Sequence, residues 1–173
     1  MTDWVFGYAS LVPDHGGDGA VVAELSGYRR VWGVATDNAR LIPGYKMYLS
    51  REDGSRPHLY VTFLDLEPAD GSTVRGLARR ADAEQLAALD LRERNYRRTD
   101  VSAAMTGVEG AVWAYLGSDE GRARLAAGVR DGTAVISRDY LEKVRTGLSA
   151  HGIGDPVPDG PPVRDLERVD IPA

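Results

Sequence analysis

The sequence predicts one α+β domain built on a bent sheet or barrel. Three observations carry this. Several β-branched and aromatic runs are broken by single glycines, and helix-start signals stand between and after them. The third is length: 173 residues can enclose one sizeable core but not two comfortable ones. At 43% hydrophobic and 27% charged residues, the composition is that of an ordinary globular chain.

The elements follow in order. Trp4–Phe6 reads as a short strand covered on both faces, running into a turn of small residues, Gly7-Tyr8-Ala9-Ser10-Leu11. Residues 13–19, PDHGGDG, carry every signal of a loop. Residues 20–36 are strand-like, with breaks at Ser26-Gly27 and at Gly33 that predict bulges or bends. The clearest strand is 58–66, where Leu59, Val61 and Phe63 alternate with Tyr60, Thr62 and Leu64. A second strand is predicted over 74–81 with Gly76 inside it, and further strands over 96–103 and 111–116. Asp82 caps a helix reaching about Arg94, with Gln85 in the capping-box position. Ser118 starts another, carrying Leu125 and Val129. Ser137 starts a third, with Tyr140, Leu141, Val144 and Leu148 on one stripe. Residues 152–162 form a Pro/Gly-rich loop and 163–173 a surface tail or short edge element, so the domain is drawn over 1–150 and the loop and tail over 151–173.

Composition also excludes. With no cysteine there is no disulfide, thiolate metal site or cysteine nucleophile. A net charge of -5 gives no general attraction to nucleic acid or anionic lipid, and no apolar run approaches the ~18 residues of a membrane span. The start lacks the basic and apolar regions of a signal peptide. The expected partner is a small molecule, with no nucleic acid and no membrane, and the expected location is the cytoplasm. Asp14, His15 and Asp18 share one Gly-rich loop without recognised ligand spacing, so no metal is expected. Ser10 has no evident His and acid to form a triad, and the Gly-rich segment lacks the Gly-Lys-Ser/Thr ending of a phosphate loop. No cofactor is indicated.

The helix from Asp82 holds an anomaly. Leu86 and Leu89 sit three apart on the face that should meet the core, and Glu93 projects between them on the helical wheel. Burying a carboxylate is costly unless it is paired, and desolvation raises its pKa toward the range of a general acid/base. The bland alternative is a helix that frays early, leaving Glu93 wet and paired with Arg97 or Arg98. The cluster Arg92, Arg94, Arg97 and Arg98 reads as a solvated helix end, or as help in holding an anion near Glu93.

Two separated strings then point the same way. VFGYASLV resembles the opening Tyr-Gly-Ser-Leu signature of the γ-glutamylcyclotransferase-like family, which includes the AIG2-like and ChaC-like proteins. LDLRERNYRRTDV resembles that family's Leu-Asp-x-x-Glu helix end followed by a Tyr and a strand. LSGYRRVWG, STVRGLARRADAEQLAALD, VWAYL and SRDYLEKVRTGL resemble further segments in the expected order, so the similarity spans about residues 4 to 148. It implies a small mixed β-barrel flanked by a few helices, with a cavity between the first loop and the glutamate. It further implies cyclisation of a γ-glutamyl group to 5-oxoproline with release of an amine or amino acid.

On that resemblance Glu93 is the catalytic candidate and Gly7, Tyr8, Ala9, Ser10 and Leu11 offer backbone N–H groups to an anion. Tyr96 and Tyr115, like Tyr8, could line the pocket or donate to substrate, the plainer reading being core tyrosines with satisfied hydroxyls. Ala9 is a departure, standing where the family has Gly; a φ above 0° there would strain the alanine. The open alternatives are a non-catalytic small-molecule or protein-binding module on the same fold, and a cyclotransferase that removes a γ-glutamyl protecting group.

Overall fold

A computed structural model describes residues 2–173. Its elements are β1 (Asp3–Gly7), α1 (Leu11–His15), β2 (Val21–Asp37), β3 (Lys46–Ser50), β4 (Tyr60–Ala81), α2 (Ala83–Arg92) and β5 (Tyr96–Asp100). There follow β6 (Met105–Thr106), β7 (Val112–Gly117), α3 (Asp119–Arg130), β8 (Ala134–Ser137), α4 (Arg138–Ala150), β9 (Val163–Arg164) and β10 (Leu166–Asp170). Eight strands form a curled half-barrel in the order β5-β7-β1-β4-β2-β6, with β8 paired to β4 and β9 to β8. Pairing is mixed: β1 runs parallel to β7 and β4 to β8, whereas β1–β4 and β2–β4 are antiparallel. A separate two-stranded sheet joins β10 to β3, antiparallel, with Leu166 opposite Ser50 and Asp170 opposite Lys46. The α+β half-barrel with four helices is the architecture expected.

The bends fall where glycine marked them. β2 shifts register against β4 between Ser26 and Tyr28, and again between Trp32 and Val34. Gly27 takes φ 78° and, across from it, Gly71 takes φ 76°, a conformation side chains disfavour. At Gly33 a Cβ would come within 2.7 Å of Asp65 Oδ2, so the strand can close on the buried Asp65 only without a side chain. Asp65 accepts N–H bonds from Leu66 and Gly117, both at 2.7 Å, and pairs with Arg122 at 3.1 Å. That carboxylate is satisfied on every side and serves the packing.

Several predicted boundaries move. The two strands expected over 58–66 and 74–81 are one strand, β4, because β2 pairs along nearly all of it and absorbs the turn-like residues 69–72 as a bulge. Part of the loop expected over 13–19 is helical, Pro13–His15 closing α1. β5 stops at Asp100, and a 3₁₀ turn over Ser102–Ala104 replaces the rest of that strand. β3 and β8 went unpredicted, each only a few residues long and lacking clean alternation. On α3, Leu125 is half-buried and Val129 is 61% exposed, so the helix does not dock through them. It docks through Gly121 and Gly128, whose missing Cβ atoms would come 2.9 Å from the Asn95 carbonyl and 2.7 Å from Tyr60 Cβ. The stripe on α4 is as read: Leu141, Val144 and Leu148 are buried and Tyr140 half-buried beside them. Downstream of α4, Ile153 is buried and β9 and β10 join the two sheets.

The main core gathers Phe6, Leu25, Leu64, Leu66, Val74, Leu77, Val112 and Val144 between the curled sheet and α4. At its edge the site-bearing turn leaves β1 over Gly76. A Cβ there would overlap the Gly7 carbonyl oxygen and lie 2.8 and 2.9 Å from Phe6 ring carbons. Gly76→Ala is therefore expected to destabilise the protein by about 3 kcal/mol, as overpacking against backbone does. The urea midpoint of the purified variant measures it; an unchanged midpoint would mean that β1 and β4 can separate freely.

Candidate functional site

Glu93 lies one residue past the end of α2. The helix is set by a complete capping box, Asp82 Oδ1 accepting from Gln85 N–H and Gln85 Oε1 from Asp82 N–H, each at 2.9 Å. It closes at Arg92, two residues short of the predicted end, with Glu93 as its C-cap at φ -88° and ψ 56°. The early end does not leave Glu93 wet. Its side chain is 13% exposed, and Arg97 and Arg98 turn away, to Asp119 and Glu120 and to Asp90 respectively. Burial lifts the Glu93 carboxyl above its ordinary value; Arg92, with Nε 3.4 Å away, and Lys46 pull it partly back. Arg92 is shared, because Asp14 on α1 also holds it and takes Lys143 at 3.1 Å. Asp14, once part of the metal question, is thus spent on two cations.

Two hollows meet at Glu93. The outer cavity has a volume of about 590 Å³, the size of a small-molecule site. The inner recess is only about 20 Å³, room for roughly one water-sized group. Tyr8, Ala9, Ser10 and Leu11 line the recess with Leu64, Glu93, Tyr96, Tyr115 and Tyr140, whereas Gly7 does not reach it. Gly7 instead pairs with Leu77 as the last residue of β1. Ser10, Glu93, Tyr96 and Tyr140 border both spaces.

The turn is held from behind. Arg30 of β2 is 7% exposed; its Nε donates to the Tyr8 carbonyl at 2.7 Å and its two terminal nitrogens to Asp155, at 2.8 Å, and to the Arg75 carbonyl. With the Tyr8 carbonyl turned toward Arg30, the Ala9 N–H of the same peptide plane points the other way, and the N–H groups of Tyr8, Ala9 and Ser10 make no turn or loop backbone bond among the described residues. Unspent amides at the wall of a narrow recess favour an anion. Ala9 carries no strain: no non-glycine residue has a positive φ among those described, and Ala9 is buried. Ala9 lines the recess, but without the left-handed backbone that would have strained it.

The tyrosines divide by where their protons go. Tyr8 donates to the Tyr115 carbonyl at 2.6 Å, Tyr96 to the Leu64 carbonyl at 2.7 Å, and Tyr115 bonds Asp90 at 2.8 Å. These three present rings to the recess while their hydroxyl protons are committed elsewhere. Tyr140 differs: its oxygen accepts from Leu64 N–H at 3.2 Å, and burial raises its pKa, so it stays protonated and able to donate. Sequence reasoning placed Tyr140 on the apolar stripe of α4 and missed its place at the recess. Its edge-on packing against Phe63, 5.1 Å between centroids, gives the same periodic signal as a core residue.

A family model described as "Gamma-glutamyl cyclotransferase, AIG2-like" matches residues 5–133. The chain belongs to that family. Among solved structures it is similar to one described as a gamma-glutamyl cyclotransferase, at 14% identity, TM-score 0.54, covering 89% of this chain and 82% of that one. It is similar also to a yeast gamma-glutamyl cyclotransferase specific to glutathione, at 13% identity and TM-score 0.55, covering 86% of this chain and 87% of the other. An uncharacterized human protein aligns at 14% identity and TM-score 0.54 over 88% and 82%. No curated protein sequence matches the chain. At these identities the likeness is one of fold. The AIG2-like match includes the turn and Glu93, whereas Tyr140, Lys143 and β10 lie beyond it.

Because Ala9 is buried and unstrained, Ala9→Gly should lower stability by about 0.5–1 kcal/mol, the entropic cost of glycine, rather than relieve the turn. Thermal unfolding of the variant checks this; a rise in Tm would reveal strain at Ala9.

Proposed function

We propose that this protein cyclises the γ-glutamyl group of a γ-glutamyl amine or peptide to 5-oxoproline, releasing the amine. The observation that carries the reading is a shielded carboxyl of raised pKa at the junction of an amide-walled recess and a substrate-sized cavity. Membership of the family supports it.

In this reading the Glu93 carboxylate takes one proton from the substrate α-ammonium. The freed lone pair attacks the γ-carbonyl carbon, forming the ring N–C bond and placing negative charge on the oxygen. Both reacting groups belong to one molecule, so the protein holds a bent conformer rather than gathering two partners. The ring nitrogen loses its second proton to water. As the old amide C–N bond breaks, protonated Glu93 gives its proton to the leaving nitrogen and is restored; the free amine then takes a further proton from water. A carboxyl of raised pKa suits both halves of this exchange.

The recess fits one oxygen of the developing oxyanion or of the substrate carboxylate, facing the amides of the 8–11 turn. Tyr140 is the hydroxyl best able to donate there. The rings of Tyr8, Tyr96 and Tyr115 close the wall and exclude water.

Glu93→Gln should remove 5-oxoproline release by 1,000-fold or more, on the order of a lost acid/base and its positioning. Its Tm above pH 7 should equal or exceed the wild-type value, since a carboxyl whose folded pKa is raised costs stability once pH exceeds that pKa. The acidic limb of the wild-type kcat/KM profile should lie above the ordinary glutamate value of 4.5. Retained turnover in Glu93→Gln removes this residue from the chemistry; binding of γ-glutamyl compounds without any release would make the protein a binding module. Tyr140→Phe should cut kcat about 100-fold, the loss of one oxyanion donor, with little change in KM. Steady-state kinetics on the variant test it, and an unchanged kcat would assign Tyr140 to packing alone.

A further inference from the structure

The outer cavity carries an excess of positive charge that the proposed chemistry does not use. Five cations line it, Lys46, Arg92, Arg94, Lys143 and Arg168, against Glu93, Asp139 and Asp170. Three of them are held by carboxylates where they stand. Arg92 and Lys143 share Asp14, Arg168 holds Asp170 at 3.0 Å, and Asp139 is taken by Arg51 from outside the cavity. Lys46 and Arg94 remain, making no ion pair among the described residues.

Both are held by aromatic faces instead. The Lys46 ammonium lies 4.1 Å from the Phe63 ring centroid, and the Arg94 guanidinium 5.3 Å from that of Tyr45. Such contacts orient a cation while leaving its N–H donors for another acceptor. Lys46 is half-buried on β3, directly opposite Asp170 of β10, and burial lowers its pKa to about 7. An ammonium kept without an anion on a partly desolvated wall costs stability.

The recess admits one oxygen of the glutamyl end, so the rest of a bound substrate lies in the outer cavity. With the glutamyl end at the turn and recess and the scissile amide at Glu93, whatever departs occupies the outer cavity, beside Lys46 and Arg94. We propose that this wall is a leaving-group subsite selecting carboxylate-bearing leaving groups, so that the substrates are γ-glutamyl amino acids or peptides rather than γ-glutamyl derivatives of simple amines. Lys46 and Arg94 are its specificity-determining residues. The inference rests on the cyclotransferase reading above.

The test compares γ-glutamyl-alanine with γ-glutamyl-ethylamide, which differ only by the leaving-group carboxylate. Wild-type kcat/KM should favour the alanine compound by about 10-fold or more, the worth of one hydrogen bond to a charged group. Lys46→Met keeps the stem on Phe63 without the charge, and Arg94→Gln alters an exposed side chain, so both should fold. Each should pull the preference toward unity; Arg94→Gln should do so through the alanine compound alone, leaving turnover of the ethylamide within about 2-fold, whereas Lys46→Met, whose charge also acts on Glu93, is read from the ratio of the two compounds. Lys46→Met should also raise Tm by about 2–4 °C, the direction opposite to that of a lysine kept for packing. An equal rate on both compounds, or a preference that neither variant changes, overturns the subsite while leaving the cyclotransferase intact. Release of 5-oxoproline from neither compound overturns the function itself, and the subsite with it.

Discussion

One buried guanidinium sets the geometry on which the site depends. Arg30 reaches from β2 to the Tyr8 carbonyl, the Arg75 carbonyl and Asp155, joining the site turn, the central strand and the segment after α4. Its desolvation is costly, and the cost is met because each nitrogen bonded here has an acceptor in place. By drawing the Tyr8 carbonyl backward, it obliges the Ala9 N–H of the same peptide plane to face the other way. A charge hidden behind the turn thus prepares the front of the turn for an anion. Gly76 makes the same arrangement possible sterically, since β1 can pass over β4 only where no side chain stands.

The glutamate is prepared by a different route. Its burial comes from lying at the end of a short helix whose Leu86 packs into the core, so the chain turns inward one residue past the last helical one. Nearby cations would ordinarily return the carboxyl to its solution acidity. Asp14 limits that by sharing Arg92 and Lys143. The raised pKa is therefore a balance between desolvation and cations held in check, rather than the product of one neighbour.

Much of this was legible in the sequence because it rests on local rules. The capping box at Asp82, the bulges at Gly27 and Gly33, and the stripe on α4 are decided within a few residues and stand as read. Glu93 was legible as a misplaced carboxylate, although the wheel that singled it out ran two residues too far. What stayed hidden is what distant pairing decides. β4 continues through a turn-like stretch because β2 accompanies it, and α3 docks by glycine, whose contribution is an absence. Tyr140 gave only the signal of a core tyrosine, and β3 is five residues without clean alternation.

The small sheet of β3 and β10 has a meaning that the larger one lacks. It shares no strand with the half-barrel and touches it through Tyr48 and Leu166, buried against Val34, Val61 and Phe63. Glu93 follows the helix α2 that the large sheet leads into, whereas Lys46 and Arg168 on the far wall of the cavity belong to the small sheet. Substitutions along the outward residues of the small sheet leave the hydrogen-bond ladder of the large one untouched. In this way the fold lets one wall of the cavity be rebuilt without disturbing the strands that carry the turn.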